Sequence, residues 1–233
     1  MSLRVALIQT RTPASQAAAL DHVSPLISRA AQGGARLILT PEGTNLLQKD
    51  RERLTPQLTS LEDDPVVLGL RAAARRLQVS ILVGSALVRR EDGQAANRSA
   101  LITPDGEIAA TYDKLHMFDV DLPNGETARE SSTYTPGDKA VVVRAEGAVL
   151  GLTICYDIRF PALHRALALA GAQILTVPAA FTRSTGEAHW EVLLRARAIE
   201  TGSFVLAPAQ GGFHEDGRGP MAAAWPSRPG ARC

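Results

Sequence analysis

The fold of this chain is decided between residues 149 and 161, which read Val149-Leu150-Gly151-Leu152-Thr153-Ile154-Cys155-Tyr156-Asp157-Ile158-Arg159-Phe160-Pro161. An apolar run of strand length ends at Ile154, the chain turns, and a helix begins at Pro161, because proline suits the first helical position. Cys155 therefore lies on a strand-to-helix turn at the carboxyl edge of a sheet, where open α/β folds bind ligands. Backbone N–H groups of such a turn can stabilise an oxyanion. A lone cysteine is also commonly a buried structural residue, and the stretch alone leaves both interpretations open.

Strands and helices alternate on both sides of this stretch. Apolar runs predict strands at residues 3–9, 36–40, 80–88, 98–103, 107–112, 140–144, 148–154, 174–177 and 203–207. Periodic segments with capping signals predict helices at about residues 15–32, 65–77, 161–170 and 187–200. Residues 113–138 show no periodicity, and a loop of that length inside a compact domain is typically functional. The order predicts one α/β domain built on a mixed sheet or on two packed sheets.

The composition excludes several classes of protein. The chain has 233 residues, 45% hydrophobic and 21% charged, with a net charge of +1, and can bury one sizeable core. A disordered chain and a strongly basic nucleic-acid binder are both excluded. No apolar run reaches about 18 residues, and the first residues lack a secretory pattern, so no membrane association is expected. Two cysteines are too few for a disulfide framework, which favours a reducing, cytoplasmic setting.

Three chemically complementary side chains each follow an apolar strand. Glu42 is a candidate general base if its neighbours raise its pKa, and Lys114 is a cation that would favour a thiolate and offset oxyanion charge. Cys155 is the candidate nucleophile. Taken singly, the glutamate is typical of a turn and the lysine of a solvated surface. The five histidines (22, 116, 164, 189 and 214) show no ligand spacing, so we expect neither a metal nor a cofactor.

Together, these segments resemble the three signatures of the nitrilase superfamily of carbon–nitrogen hydrolases. The resemblance rests on Pro41-Glu42-Gly43, on Tyr112-Asp113-Lys114-Leu115-His116 and on residues 155–161. It extends from about residue 3 to residue 217, and residues 189–200 resemble the amidase branch. It implies an α-β-β-α sandwich and a small carboxylated amide as substrate, cleaved with release of ammonia through a cysteine thioester. It also implies a homodimer or higher oligomer where the C-terminus is intact.

The resemblance also implies a role for each matching position. Cys155 would be the nucleophile, Glu42 the general base and Lys114 the oxyanion partner. A second glutamate belongs between the lysine and the cysteine; Glu130 occupies the matching place, and Glu126 is the other candidate. The candidate substrate-binding residues are Tyr156, Phe181, Thr182, Thr185 and His189. We expect Phe181, Thr182 and Thr185 to lie in a loop and His189 to lie at the start of a helix.

Two further pairs are expected to be structural. Asp157 and Arg159 flank a tight turn, where such side chains typically bond to the backbone and to each other. Arg197 and Glu200 are three residues apart in a predicted helix and should form an ion pair.

The resemblance stops at Gly217, and residues 218–233 show no strand or helix pattern. The family continues here with a pattern like Tyr-Gly-His-Ser, a strand and Asp-Pro-Trp-Gly. Shifting the reading frame back by one base allows His/Tyr-Gly-x-x-Leu-Ala-Val-x-Pro-Trp-Gly, so we expect residues 1–217 to form the hydrolase domain and residues 218–233 to be out of frame. A lineage-specific tail is the alternative. Lost strands would leave a sheet edge unpaired. A catalytically silent, truncated binding protein is therefore the second functional hypothesis.

Overall fold

The computed structural model describes residues 2–121, 125, 127–217 and 224–227. Its strands are β1 Val5–Leu7, β2 Leu37–Leu39, β3 Ser80–Arg89, β4 Ala95–Ile102, β5 Ile108–Asp113, β6 Asp119–Asp121, β7 Thr127–Arg129, β8 Val141–Ala145, β9 Ala148–Leu152, β10 Ile174–Thr176, β11 Phe204–Ala207 and β12 Trp225–Ser227. Its α-helices are α1 Gln16–Gln32, α2 Arg51–Leu54, α3 Pro65–Leu77, α4 Pro161–Leu169 and α5 Arg183–Thr201.

The strands form two five-stranded mixed sheets and a two-stranded ribbon. The first sheet has the order β1-β2-β3-β4-β5, the second has the order β12-β11-β10-β9-β8, and β6 pairs with β7. In the first sheet, β1, β2 and β3 are parallel, and β4 and β5 return antiparallel. In the second, β9, β10 and β11 are parallel.

The two sheets pack face to face, with helices outside them. Leu37 and Leu39 of β2 belong to the core shared with the second sheet, whereas Ile38 belongs to the core under α1 and α3. This alternation follows from the two-residue period of a strand. Helices α4 and α5 cover the other face of the second sheet. The predicted α-β-β-α sandwich is confirmed.

Most predicted elements are confirmed, and three expectations are wrong. Helix α5 begins at Arg183 rather than at residue 187, so Thr185 is helical and His189 lies inside the helix. The sequence pattern did not predict this first turn because it contains Gly186, a poor helix former. In the structure, the N–H of Gly186 nevertheless bonds to the carbonyl of Thr182 at 2.8 Å. The long segment after β5 contains the β6–β7 ribbon, whose strands of three residues are too short to show a period.

The third correction concerns the tail. Strand β12 pairs antiparallel with β11, so this edge of the second sheet is covered rather than unpaired. Pro226 breaks the strand pattern in the sequence but is tolerated at a sheet edge. Residues 218–223 and 228–233, including Cys233, lie outside the described residues.

Candidate active site

The fold brings Glu42, Lys114 and Cys155 to one end of the sandwich, just beyond the carboxyl ends of β2, β5 and β9. Together with Glu130, they line a cavity of about 430 Å³. A cavity of this size is sufficient for a small organic ligand.

Lys114 is the centre of the cluster. Its side chain is 2% exposed, and its Nζ lies 3.1 Å from Glu42 Oε1 and 2.8 Å from Glu130 Oε2. The other oxygen of Glu130 is 2.9 Å from the same Nζ. One ammonium therefore faces two carboxylates, and the three charged groups carry a net charge of −1 when all are ionised.

Each carboxylate is also held by backbone donors. Glu42 Oε2 accepts a 2.7 Å hydrogen bond from the Ala180 N–H, beyond β10. Glu130 Oε2 accepts one of 2.7 Å from the Phe118 N–H, just before β6. Rigid strand ends thus fix the direction of Glu42, and the ribbon fixes that of Glu130.

Cys155 begins a 3₁₀ helix over Cys155–Arg159 and has a φ of +48°, which is unusual for a residue other than glycine. Its N–H bonds to the carbonyl of Pro178 at 2.9 Å, so the neighbouring strand supports the strained turn. Strain of this kind is typical of functional residues. The thiol is buried beside the cavity, and its interaction with the Glu42 carboxylate lowers the pKa of that carboxyl.

The protonation states differ from the sequence-based expectation. Burial, followed by the negative charge of Glu42, raises the pKa of the Cys155 thiol well above its usual range, although Lys114 opposes this. Burial alone would raise the pKa of Glu42, but Lys114, the Cys155 thiol and the Ala180 N–H lower it below its ordinary value. The expected lysine-favoured thiolate is therefore wrong, because burial and the charge of Glu42 outweigh that of Lys114 at the thiol, and the neighbours of Glu42 lower its pKa rather than raise it. The resting cluster holds a thiol and an ionised Glu42.

A second buried network joins the segments that carry Lys114 and Cys155. The Asp157 carboxylate accepts hydrogen bonds from Tyr112 Oη at 2.7 Å, from the His116 N–H at 3.0 Å and from the Ile154 N–H at 2.9 Å. Burial and the charge of Asp157 raise the pKa of Tyr112 far above its usual value, so Tyr112 is a proton donor here. One carboxylate thus fixes the spacing between the two signatures.

The expected pairing of Asp157 with Arg159 is wrong. The guanidinium of Arg159 instead lies 5.8 Å from the ring centroid of Tyr156 and 5.6 Å from that of Phe181. It also lies 3.2 Å from Nδ1 of His189. The expected Arg197–Glu200 ion pair is present at 2.6 Å.

Four of the five candidate substrate-binding residues line the cavity: Tyr156, Phe181, Thr182 and Thr185. The two threonine hydroxyls lie 2.7 Å apart. His189 is exposed and is not among the lining residues, since its position inside α5 turns it outward. Glu126, the other candidate for the second glutamate, lies outside the described residues.

The lining residues that the sequence reasoning missed include Asn97, Phe118, Lys49 and Arg129. Asn97 carried no signal, because it is the third residue of β4 but lies just before the strand predicted at residues 98–103. The others follow no strand or motif, because they reach the cavity through loops and the ribbon.

Neither a metal site nor a membrane span is found in the described part of the chain. Across residues 2–121, 125, 127–217 and 224–227, no three His, Cys, Asp or Glu side chains are grouped so as to hold a metal ion. Over the same ranges, no helix combines the length and apolar character needed to cross a bilayer.

The chain is similar to proteins of known family. The model of the family described as carbon–nitrogen hydrolase matches residues 4–222. The deaminated glutathione amidase of Synechocystis sp. is 44% identical over 203 residues, which cover 85% of this chain and 74% of that protein.

Solved structures extend the likeness to the fold. The NitFhit protein of C. elegans has a TM-score of 0.90 and 29% identity, covering 98% of this chain and 57% of that one. A variant amidase from Nesterenkonia sp. AN1, with acrylamide added at its active site cysteine, has a TM-score of 0.83 and 26% identity. That alignment covers 98% of this chain and 86% of the amidase.

Proposed function

This chain belongs to the carbon–nitrogen hydrolase family as an amidase-type enzyme, and from this premise we propose that it cleaves a small carboxylated amide, releasing ammonia through a cysteine thioester. One observation carries the proposal. The Cys155 thiol, the Glu42 carboxylate and the Lys114 ammonium line the same cavity, and Lys114 Nζ lies 3.1 Å from Glu42 Oε1. Nucleophile, base and cation thus meet in one place.

In the first half-reaction, Glu42 takes the thiol proton while the Cys155 sulfur attacks the amide carbon. A C–S bond forms, and the carbonyl π electrons move to oxygen. The oxyanion then re-forms the carbonyl, the C–N bond breaks, and protonated Glu42 returns the proton to the leaving nitrogen. Ammonia departs and a thioester remains. Because the resting pKa values favour the thiol, proton transfer accompanies attack rather than precedes it.

The oxyanion is stabilised by Lys114 and by the Tyr156 N–H. The Tyr156 N–H lies in the first turn of the 3₁₀ helix, where backbone donors lack intrahelical acceptors. The three N–H groups of Lys114 are occupied by Glu42 and Glu130 at rest. Protonation of Glu42 weakens its hold on Lys114, which frees an N–H for the oxyanion at the moment when the oxyanion forms.

In the second half-reaction, Glu42 takes a proton from water, whose oxygen attacks the thioester carbon. The C–S bond breaks, the thiolate recovers the proton from Glu42, and the carboxylic acid leaves. Glu130 touches no reacting atom in this scheme; it keeps Lys114 charged and in place.

The substrate class is supported by the relatives and by the cavity wall. Relatives named deaminated glutathione amidase occur at 44% and 46% identity. The cavity wall also includes Lys49 and Arg129, and the Arg129 guanidinium is paired with Asp121 at 2.6 Å. A substrate carboxylate directed towards Lys49 would find a complementary charge there.

Ammonia release from a panel of short ω-amides of dicarboxylic acids tests the proposal. Cys155→Ala should lower kcat at least about 10³-fold because the nucleophile is gone. Cys233→Ser, which removes the other cysteine, should retain wild-type kcat. Intact-mass measurement during turnover should detect an acyl adduct on Cys155.

Activity that survives Cys155→Ala would overturn the assigned nucleophile. A chain that unfolds cooperatively and reacts with thiol reagents at Cys155, yet hydrolyses no amide, would instead favour the silent binding protein.

We further propose that the protein acts as a homodimer in a reducing, cytoplasmic setting, in which Cys155 stays a free thiol. Self-association is supported by Val192 and Ile199, which lie two turns apart on α5 and are 67% and 60% exposed. Val192→Glu with Ile199→Glu should give a monomer by light scattering, whereas Leu68→Glu on α3 should not. A monomeric wild-type chain would refute this assembly.

A further inference from the structure

Asn97 is a buried residue that touches three of the four proposed catalytic residues. It lies near the start of β4, is 2% exposed and lines the cavity. Its Nδ2 lies 2.8 Å from Glu42 Oε1 and 3.4 Å from Glu130 Oε1. Its backbone carbonyl accepts a 2.9 Å hydrogen bond from the Lys114 N–H.

The chemistry of the amide fixes its orientation. A primary amide nitrogen has two N–H groups, and each can serve one carboxylate. The opposite orientation would place the amide oxygen against two carboxylates that only accept hydrogen bonds, so it is excluded. Asn97 Nδ2 thus bridges the two acids through Glu42 Oε1 and Glu130 Oε1, the two oxygens that Lys114 Nζ also contacts.

The other end of the amide is left unsatisfied. Asn97 Oδ1 is buried and has no hydrogen-bond partner among the described residues. A buried orphan acceptor costs about 1–3 kcal/mol. If residue 97 only filled space, a small apolar side chain would be more favourable than asparagine, because it has no buried oxygen without a partner.

Asn45 provides the contrast within the same chain. Its Nδ2 also donates to a buried carboxylate, Asp64, at 2.7 Å, and to the Leu87 carbonyl at 2.9 Å. Its Oδ1 accepts from the N–H groups of Leu46 at 3.0 Å and Leu87 at 2.8 Å. Asn45 is fully satisfied, as expected of a structural asparagine, and Asn97 is not.

We propose that Asn97 is a positioning residue that holds the carboxylates of Glu42 and Glu130 on either side of Lys114 and keeps Glu42 ionised for proton abstraction. This inference rests on the proposed role of Glu42. Two carboxylates so close repel each other, and without the shared amide one of them gains affinity for a proton. A protonated Glu42 cannot accept the Cys155 proton.

The test measures alkylation of Cys155 by iodoacetamide between pH 4 and 9, in a Cys233→Ser background, together with kcat and KM for amide hydrolysis. Asn97→Asp replaces the donor with an acceptor of the same shape. We expect the acid limb of alkylation to move up by about one pH unit, since a hydrogen bond to a charged group is lost, and the rate at a pH below both limbs to fall by up to about tenfold. The kcat should fall at least about tenfold, with KM changed less than about twofold.

Asn45→Asp is the matched control, because it places the same charge against Asp64 away from the cavity. It should lower the midpoint of urea unfolding without moving the acid limb. Asn97→Ala removes the donor without adding charge and gives the same test should Asn97→Asp fail to fold. An unchanged acid limb in a folded Asn97 variant would overturn the inference.

Alkylation requires no amide substrate, so the two proposals fail separately. Suppose that the wild-type chain shows the expected acid limb of Cys155 alkylation and that the Asn97 variants shift it, but that no amide is hydrolysed. This result would refute the proposed function and still support the positioning role of Asn97. In the background of Glu130→Gln, the carboxylate repulsion is gone, and Asn97→Ala should move the limb less than it does alone. Equal shifts in both backgrounds would refute the positioning of Glu130 by Asn97.

Discussion

At the scale of single residues, the behaviour of the cluster follows from one cation shared by two carboxylates. Lys114 faces both Glu42 and Glu130, and at Cys155 its charge is outweighed by burial and by the charge of Glu42, which raise the pKa of the thiol. The charges of Glu130 and Glu42 overcome the effect of burial and raise the pKa of Lys114 well above its usual value. The cluster is therefore built to keep the lysine charged and the thiol protonated until the substrate carbon is present.

The pH dependence of kcat/KM should reflect this arrangement. The pKa of Glu42 lies below its ordinary value of 4.5, so the base stays ionised, and kcat/KM should stay level, until the pH falls through that lowered pKa. On the alkaline side, activity should show no rise near pH 9.0, the ordinary thiol value, because the pKa of Cys155 is well above it. Rates measured immediately after pH jumps, with tryptophan fluorescence to monitor folding, check both limbs.

Glu42→Gln is the control for this assignment, because it keeps the shape of the side chain and removes the base. It should lower kcat at least about 10²-fold, and the acid limb of the pH profile should disappear. A wild-type limb near pH 6 would contradict the lowered pKa of Glu42.

At the scale of elements, the active site depends on a close approach between strands. Gly84 of β3 lies beneath the chain that continues from β2 into Glu42, and a Cβ there would collide with the Thr40 carbonyl and lie 2.8 Å from that of Pro41. The same Cβ would contact Pro178, whose carbonyl supports Cys155. Any side chain at residue 84 therefore moves the segments that carry both the base and the nucleophile.

Gly84→Ala should accordingly lower the free energy of unfolding by at least about 1–3 kcal/mol and reduce kcat, because backbone must shift to make room. Gly33→Ala, where the nearest atom to a Cβ is the Ala30 carbonyl at 3.3 Å, should change both quantities little. Urea unfolding and ammonia release check the pair. A fully active Gly84→Ala would show that the strand ends are free to move apart.

The same elements indicate what the sequence could predict. Strong local signals sufficed for β2, which is a continuous apolar run, and for α3, where Asp64 caps the first turn. The contacts of Asn97 and the covering of β11 by β12 could not be predicted, since they arise from chain segments brought together only by the fold. The protonation state of Cys155 could not be predicted for the same reason, because only the fold determines its burial and its closeness to Glu42, which raise its pKa most.

At the scale of the whole molecule, the tail from residue 218 poses a separate question. We propose that residues after about Arg218 are read out of frame. Strand β12 does not decide this, because strands pair through the backbone and a short edge strand accepts many sequences. Sequencing the coding DNA should reveal codons for residues 217–231 that yield Pro-Trp-Gly in the neighbouring frame. Codons that cannot yield it would refute the proposal.

The stability of the whole molecule in acid should depend on His164, a fully buried residue of α4. Burial lowers the pKa of His164 from 6.5 to about 4, and nearby Arg197 adds to the effect, while the Phe160 carbonyl and Asp157 oppose it. Between these two pH values the unfolded chain binds a proton that the folded chain does not, so stability falls as the pH falls through this window. This difference in the pKa of His164 between the unfolded and the folded chain corresponds to a loss of about 3 kcal/mol in the free energy of unfolding.

His164→Leu should remove this loss, because leucine does not titrate and leaves no buried nitrogen without a partner. The free energy of unfolding in urea, measured from pH 7 to pH 4, should fall about 3 kcal/mol less in this variant than in the wild type. His189→Gln, on the exposed side of α5, should keep the wild-type slope. Parallel slopes for His164→Leu and the wild type would mean that His164 takes up its proton in the folded protein, which requires α4 to open without global unfolding.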